Sequence, residues 1–337
     1  MMNKISGAMN TKQKDVTIDK SNIVKVGAKM NPLHLISKGY KYILDEGYRF
    51  NVNRSYFSMY RDMPDEEYLK RLFRYKMGYN LDLDNPKTLN EKIQWLKLYD
   101  RKPKYVKLVD KIEVKKYVAD LIGKEYIIPT LGFWKSANDV DFDSLPDKFV
   151  LKCSHDSHDI IICTDKNKLN KEKTIKKLNR GLQRNYYYPF REWAYKNVEP
   201  RILAEQYLAD ETGTLTDFKF YCFNGKAVCV LTCFERNTGD TKFYFFDRNW
   251  QLKRYNKQGK EAPADFTKPK PQNLEKMFEL AEILAKDSEA SFIRVDLYNV
   301  YGKIYFGELT LYPAAGFDRG RLPETDRLFG SMVDLNK

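Results

Sequence analysis

The sequence predicts an α+β protein. Apolar residues recur at helical spacing up to about residue 125. Short runs rich in aromatic and β-branched residues dominate after Pro129. Between two such runs, Asn224-Gly225 is a tight hairpin signal. A helical first part followed by hairpins and mixed elements argues for α+β over alternating βαβ units.

In chain order, residues 1–30 are polar, Lys-rich and weakly patterned, and are expected to be a mobile basic arm. Leu33, Ile36, Tyr40, Ile43 and Leu44 fall on one face of a helix. A second helix is expected from Pro64. Proline suits its first turn, Asp65-Glu66-Glu67 the positive end of its dipole, and Gly78 its exit. Thr88-Leu89-Asn90-Glu91 has capping-box spacing, and Ile93, Trp95, Leu96 and Tyr99 continue that helix. Tyr105, Leu108, Val109, Ile112, Leu121 and Ile122 predict one further helix, ended near Gly123.

Strands are predicted at Phe149–Cys153 and Ile160–Cys163, joined by a polar loop from Ser154 to Asp159. A helix carries Ile175, Leu178, Leu182 and Tyr186, and a short strand spans Ile202–Leu208. Phe218–Phe223 and Lys226–Cys233 flank the Asn224-Gly225 turn, and Phe243–Phe246 adds a strand. A late helix holds Leu274, Met277, Phe278, Ala281 and Leu284. Phe292–Tyr298 and Lys303–Leu311 form a last hairpin. No internal repeat is visible.

The 337 residues suggest about two domains. With 42% hydrophobic and 14% aromatic residues there is ample core material, which excludes a wholly disordered chain. No apolar run approaches the ~18 residues of a membrane span. The first ten residues lack the apolar segment of a secretion signal. Five cysteines, an odd number, read as free thiols in a reducing cytoplasm. Lys and Arg total 59 against 46 Asp and Glu, a formal net charge of +13. That excess invites an anionic partner: nucleotide, nucleic acid, acidic sugar or anionic lipid.

The last hairpin is the most informative segment. Arg294 and Asp296 share one sheet face, as do Glu308 and Thr310. A three-residue loop Val300-Tyr301-Gly302 pairs Asn299 with Lys303, putting Arg294 opposite Glu308 and Asp296 one diagonal step away. Two carboxylates on one face with an arginine between them suit Mg²⁺ carrying a polyphosphate. A lattice of surface ion pairs would give the same pattern. Lys152 interrupts an apolar strand just before the polar loop, where a lysine and loop amides reach a phosphate. That loop, Cys153-Ser154-His155-Asp156-Ser157-His158, contains no glycine.

Other constellations are weaker. His155 and His158 with Cys153 and Cys163 lack zinc-ligand spacing. Asp141-Phe142-Asp143 and Asp82-Leu83-Asp84 match the Asp-x-Asp pattern of metal-dependent glycosyltransferases, but neither follows an apolar strand, and Asp141–Asp147 reads as a capped turn. The basic stretch from Lys166 to Arg184, followed by Tyr186-Tyr187-Tyr188, has the charge and aromatics of a nucleic-acid surface. Its apolar residues keep helical spacing, however, so it reads as a solvated helix face. Nucleic acid is therefore a poor candidate partner.

Several longer blocks occur in a specific order: Asn85-Pro-Lys-Thr-Leu-Asn-Glu-Lys-Ile-Gln-Trp-Leu-Lys-Leu-Tyr-Asp100, Asp110-Lys111, Leu145-Pro-Asp-Lys-Phe-Val-Leu-Lys-Cys153, Glu205-Gln-Tyr207, Asp217-Phe-Lys-Phe-Tyr-Cys-Phe-Asn-Gly225, Arg294-Val-Asp-Leu-Tyr298 and Phe306-Gly-Glu-Leu-Thr-Leu-Tyr-Pro313. Together they resemble the TupA-like (teichuronopeptide-biosynthesis) family of the ATP-grasp superfamily, from about Gly78 to Gly330.

The resemblance implies an ATP-grasp fold, two α+β lobes holding ATP, preceded by a mainly helical N-terminal region. It sets a helical region at 31–125, a first lobe with the phosphate loop at 126–208, and a second lobe with the metal site at 209–337. It assigns Lys111 and Lys152 to the ATP phosphates, with His155 and Ser157 in the loop beside them. Glu205 and the backbone of Gln206, Tyr207 and Leu208 resemble the hinge that reads adenine. Asp296, Glu308 and Thr310 resemble the Mg²⁺ ligands, with Thr310 where many relatives have asparagine. Arg294 and Lys152 take the catalytic places, and Lys219 adds a third cation. The implied reaction is carboxylate–amine ligation through an acyl phosphate. The family association implies a uronic acid, as nucleotide sugar or glycan, joined to an amino acid or amine in cell-surface polysaccharide biosynthesis. A cytoplasmic protein is expected, and the basic excess left in the N-terminal arm and the 166–184 helix suits solubility, an anionic glycan or the inner membrane face. A glycosyltransferase using Asp143 and a nucleotide- or glycan-binding protein without turnover are the alternatives.

Overall fold

The computed structural model describes residues 32–57, 59–157, 159–210, 213, 215–235 and 240–335. The arm expected at 1–30 and His158 lie outside them. The chain divides into two compact units, Met1–Asp62 and Met63–Lys337. In the first unit, α1 (Pro32–Leu44) leads into α2 (Glu46–Val52). Asp45 caps α2 by accepting from the Tyr48 amide at 2.9 Å. The Arg49 guanidinium donates to the last carbonyls of α1, those of Tyr42 and Ile43.

The second unit opens with α3 (Asp65–Met77) and α4 (Leu89–Tyr99). Gly78 leaves α3 at φ +84°, and Thr88 and Glu91 close the capping box of α4. Helix α4 buries a polar stripe as well as an apolar one. Asn90, Gln94 and Lys97 stand one turn apart and are almost fully buried. Gln94 Nε2 donates to the Gly316 carbonyl at 2.8 Å, and Lys97 Nζ to the Ala315 carbonyl at 2.7 Å. These bonds hold Ala314 and Ala315 at positive φ, 50° and 52°. Burial pushes the Lys97 ammonium down to about 7.

The single helix expected over Tyr105–Ile122 is two, α5 (Lys104–Val109) and α6 (Glu113–Ile122). Asp110 breaks it. Its Oδ1 accepts from the Ile112 amide at 2.8 Å, and its Oδ2 accepts from Arg201 Nη2 at 2.7 Å. The Lys111 amide leaves the helix to donate to the Ser154 carbonyl at 3.1 Å.

A four-stranded antiparallel sheet follows, in the order β1 (Thr130–Trp134), β4 (Ile202–Gln206), β2 (Phe149–Cys153), β3 (Ile161–Cys163). One face packs Phe149, Leu151, Cys153, Ile202 and Ala204 against Leu178 of α7 (Lys171–Leu182), with the short α8 (Tyr187–Phe190) beyond it. By alternation the other face carries Val150, Lys152, Leu203 and Glu205.

The second sheet has six antiparallel strands in the order β10 (Lys303–Thr310), β9 (Phe292–Val300), β5 (Asp217–Phe223), β6 (Lys226–Phe234), β7 (Lys242–Phe246), β8 (Leu252–Lys253). After α9 (Lys257–Glu261), α10 (Leu274–Ser288) backs this sheet, with Phe278 edge-on to Phe220 at 4.9 Å. The final helix, α11 (Pro323–Ser331), packs on α4. Asn224 and Gly225 turn at φ +49° and +82°, the expected hairpin.

The last hairpin departs from expectation. Its loop is two residues, Tyr301 and Gly302, both at positive φ, and Val300 faces Lys303. A bulge between Phe306 and Glu308 then shifts the register. Gly307 makes this approach; a Cβ there would lie 3.0 Å from both the Asp296 carbonyl oxygen and the Tyr298 ring. Glu308 therefore stands directly opposite Asp296, and Thr310 opposite Arg294.

All five cysteines are buried and free. Among the described residues no helix is long and apolar enough to cross a membrane. Close helix packing gives a direct test of the fold. A Cβ on Gly330 would drive into the Lys87 carbonyl oxygen and the backbone of Thr88, where α11 meets the start of α4. Gly330→Ala should cost about 1–3 kcal/mol, read as a drop of several degrees in Tm by calorimetry.

Candidate active site

Strand register assembles the site. Lys219 on β5, Asp296 on β9 and Glu308 on β10 form one cross-strand row; Tyr221, Arg294 and Thr310 form the next. All face away from α10 by alternation. Arg294 bridges the rows. Its Nε donates to Asp296 Oδ1 at 2.6 Å and its Nη2 to Asp296 Oδ2 at 2.7 Å. The same Nη2 reaches Glu308 Oε1 and Thr310 Oγ1, both at 3.1 Å. Lys219 Nζ donates to Asp296 Oδ2 at 2.6 Å, and Thr310 Oγ1 donates to Glu308 Oε1 at 3.0 Å.

Burial alone would raise the Glu308 pKa. Lys111, Arg294 and Lys219, with the Thr310 hydroxyl, outweigh it and hold the carboxyl down at about 2. The same carboxylates raise the Arg294 pKa against its burial.

The four-stranded sheet supplies a second charge cluster. Glu205 of β4 is 5% exposed. It pairs with Lys152 of β2 and, at 2.6 Å, with Lys115 of α6. Burial opposes ionisation of Glu205, and the two lysines prevail, lowering its pKa. Lys115 has no counterpart in the sequence reading, because its partner lies 90 residues away. Its own Nζ also donates to the Ile128 carbonyl at 2.7 Å. Lys111 connects the two clusters. Burial pushes its pKa down, while Glu308, Asp156 and Glu205 around it hold it up and Lys152 opposes them.

Not every expected residue presents a free group. The Gln206 amide donates to the Pro129 carbonyl at 3.0 Å, so it is spent on the β-ladder edge. The Tyr207 hydroxyl donates to the Gly213 carbonyl at 3.2 Å, and Leu208 follows just past the end of β4. His155 is 2% exposed with Nε2 donating to the Arg184 carbonyl at 2.9 Å, and burial pushes its pKa down. Ser157 is exposed.

The sequence profile of the TupA-like ATP-grasp family matches residues 91–334. The chain belongs to that family. No curated protein sequence matches it. Solved structures similar to it include a D-alanine–D-alanine ligase from Bacillus anthracis complexed with ATP, at 16% identity and a TM-score of 0.40, covering 67% of this chain and 63% of that one. The ligase of the same name from Helicobacter pylori matches at 14% identity and a TM-score of 0.41, over 74% of this chain and 68% of the other. A D-cycloserine synthetase matches at 16% identity and a TM-score of 0.36, over 68% and 70%.

The matched stretch holds both charge clusters. The acidic row fits Mg²⁺. Asp296 and Glu308 are hard oxygen donors on adjacent strands, with Arg294 and Lys219 beside them. Among the described residues no group of three or more His, Cys, Asp or Glu surrounds a single point. Mg²⁺ takes one or two carboxylates and fills its shell with phosphate oxygens and water. The Asp-x-Asp segments are local turns. Asp82 Oδ1 accepts from the Asp84 amide at 3.0 Å, and Asp141 Oδ1 from the Asp143 amide at 3.1 Å.

Glu308 yields a pH test. Its folded pKa lies below the ordinary 4.5. It therefore stabilises the fold above that value and loses this contribution as pH falls toward about 2. In acid titrations followed by Tm, the gap between wild type and Glu308→Gln should narrow through this window and vanish below it.

Proposed function

We propose that the chain is an ATP-dependent ligase that activates a carboxylate as an acyl phosphate and joins it to an amine. The observation that carries this reading is the row Lys219–Asp296–Glu308, with Arg294 across both carboxylates and Lys111 beside Glu308. A carboxylate oxygen attacks the γ-phosphorus, the bond to the β-phosphate oxygen breaks, and ADP leaves with that electron pair. The amine then attacks the acyl carbon, inorganic phosphate departs, and the amine proton is lost. Asp296 and Glu308 would hold Mg²⁺, with Thr310 orienting Glu308; the metal supplies charge neutralisation at the phosphoryl group. Lys111, Lys152 and Lys219 clamp phosphate oxygens, and Arg294 faces the γ-phosphate and then the acyl phosphate. Glu205 is the penultimate residue of β4, which leads to Tyr207 and Leu208, whose backbone would read adenine.

The acceptor we propose is a uronic acid, free as a nucleotide sugar or within a glycan, joined to an amino acid or amine in cell-surface polysaccharide assembly. The family association and the chain's basic excess support it. On α1, Tyr40, Ile43 and Leu44 are 66%, 71% and 75% exposed on one face, with Lys38 and Lys41 alongside. This supports peripheral contact with an anionic membrane face. The full chain should co-sediment with vesicles containing anionic lipid and not with neutral ones, and Ile43→Asp/Leu44→Asp should abolish this.

The ligase reading is tested by ADP release against panels of uronic acids and amines with Mg²⁺. ADP should appear only when both partners are present, with an amide product by mass. Release dependent on a hydroxyl acceptor alone would make the chain a kinase, and nucleotide binding without turnover a binding protein. Asp296→Asn and Lys152→Ala should each lower kcat/KM by roughly 100-fold or more, the scale of lost transition-state charge stabilisation.

A further inference from the structure

The loop between β2 and β3 poses a problem for the ligase reading. It has no glycine through Ser154–Asp159 and carries two aspartates. An aspartate turned to the nucleotide would repel its γ-phosphate.

The carboxylate of Asp156 is turned inward instead. Asp156 is 3% exposed, and its Oδ2 lies 3.1 Å from Arg184 Nη2. The Asp159 carboxylate pairs with the same guanidinium. Arg184 follows the C-terminal end of α7, where a cation also meets the negative end of the helix dipole. Its amide donates to the Gly181 carbonyl at 3.0 Å, and its own carbonyl accepts from His155 Nε2 at 2.9 Å. Gly181 allows the approach. A Cβ there would meet Cys153 Sγ at 2.6 Å and Asp159 Oδ2 at 3.1 Å. The other side of the loop is tied to Lys111. The Lys111 amide donates to the Ser154 carbonyl at 3.1 Å, and its Nζ to the Asp156 carbonyl at 2.9 Å. The Ser154 amide is spent on the Arg201 carbonyl at 2.8 Å.

Asp156 is thus a hub. Its carboxylate is anchored to α7 through Arg184, and its carbonyl holds the ammonium of a lysine beside Glu308. From this, and resting on the nucleotide reading above, we infer that the Asp156–Arg184 pair is a positioning device for the γ-phosphate. It fixes a glycine-free phosphate loop by charge, and it aims Lys111 through the Asp156 carbonyl. Asp156 and Arg184 act through Lys111 and the loop amides and do not themselves touch the nucleotide.

The experiment is calorimetric titration of the full chain with Mg²⁺ and either a non-hydrolysable ATP analogue or ADP. Wild type is compared with Asp156→Asn, Arg184→Ala, their double variant, and Arg184→Lys, with thermal unfolding confirming that each is folded. The expected result is a loss of roughly tenfold for the ATP analogue in each single variant, the scale of one charge-assisted hydrogen bond. ADP affinity should stay within about twofold, since the device serves the γ-phosphate. The double variant should lose no more than the worse single one, because the two residues are one interaction. Arg184→Lys keeps the charge and should recover most of the affinity, and it stands in if Arg184→Ala fails to fold. Tighter ATP-analogue binding by Asp156→Asn would mean that the aspartate repels the phosphate, overturning the inference. Equal losses for ATP analogue and ADP would also overturn it, making the pair a general fold element. Lys152→Ala reports separately on the nucleotide site: if wild type binds the analogue and Lys152→Ala does not, the nucleotide reading stands whatever the Asp156 variants do. Wild type binding neither nucleotide would remove both.

Discussion

Two carboxylates side by side on a largely buried sheet face repel each other unless cations are brought to them. Asp296 and Glu308 stand directly opposite each other, and much of the second unit is arranged around that constraint. Arg294 comes from the same strand as Asp296, two residues away, and spans both acids. Lys219 needs β5 as the next neighbour. Lys111 needs the helix to stop at Asp110 and the chain to turn toward Ser154. Each cation comes from a different element, so helix break, strand order and register serve one electrostatic requirement.

The same arrangement recurs on the other sheet, where Glu205 stands between Lys115 and Lys152. Buried ion pairs of this sort add little to stability, since desolvation cancels much of their attraction. What they provide is a set of cations held in place, with their side-chain entropy already lost. A polyanion entering between such clusters meets donors that need no ordering, and it competes with carboxylates that a divalent ion satisfies in turn. Phosphoryl transfer depends on this kind of positioning more than on covalent help from the protein.

Much of this was legible in the chain itself. The α+β class, the capping box at Thr88, the Asn224-Gly225 turn and the shared face of Arg294 and Asp296 follow from local rules. The hairpin register did not. Val300-Tyr301-Gly302 reads equally as a three-residue loop or as a residue before a two-residue one, and Gly307 gives no local sign that a bulge uses it. The two effects together move Glu308 from opposite Arg294 to opposite Asp296. The break at Asp110 was readable in principle, because an aspartate three residues before Glu113 is a helix-start pattern; continuous apolar spacing concealed it. Lys115 and Arg184 carried no signal, since their partners Glu205 and Asp156 are distant in sequence and only the fold brings them together.

The buried cysteines have a practical consequence. Burial pushes the thiols of Cys153 and Cys233 up to about 11 and that of Cys222 well above its ordinary value. Thiolate is the reactive form, so these native sulfurs should ignore maleimides and mild oxidants while the chain is folded. With all five native thiols buried, a cysteine introduced on the surface would be the accessible one to label. A dye could be attached to either sheet without first removing native residues, and fluorescence could follow nucleotide entry in an otherwise unaltered chain.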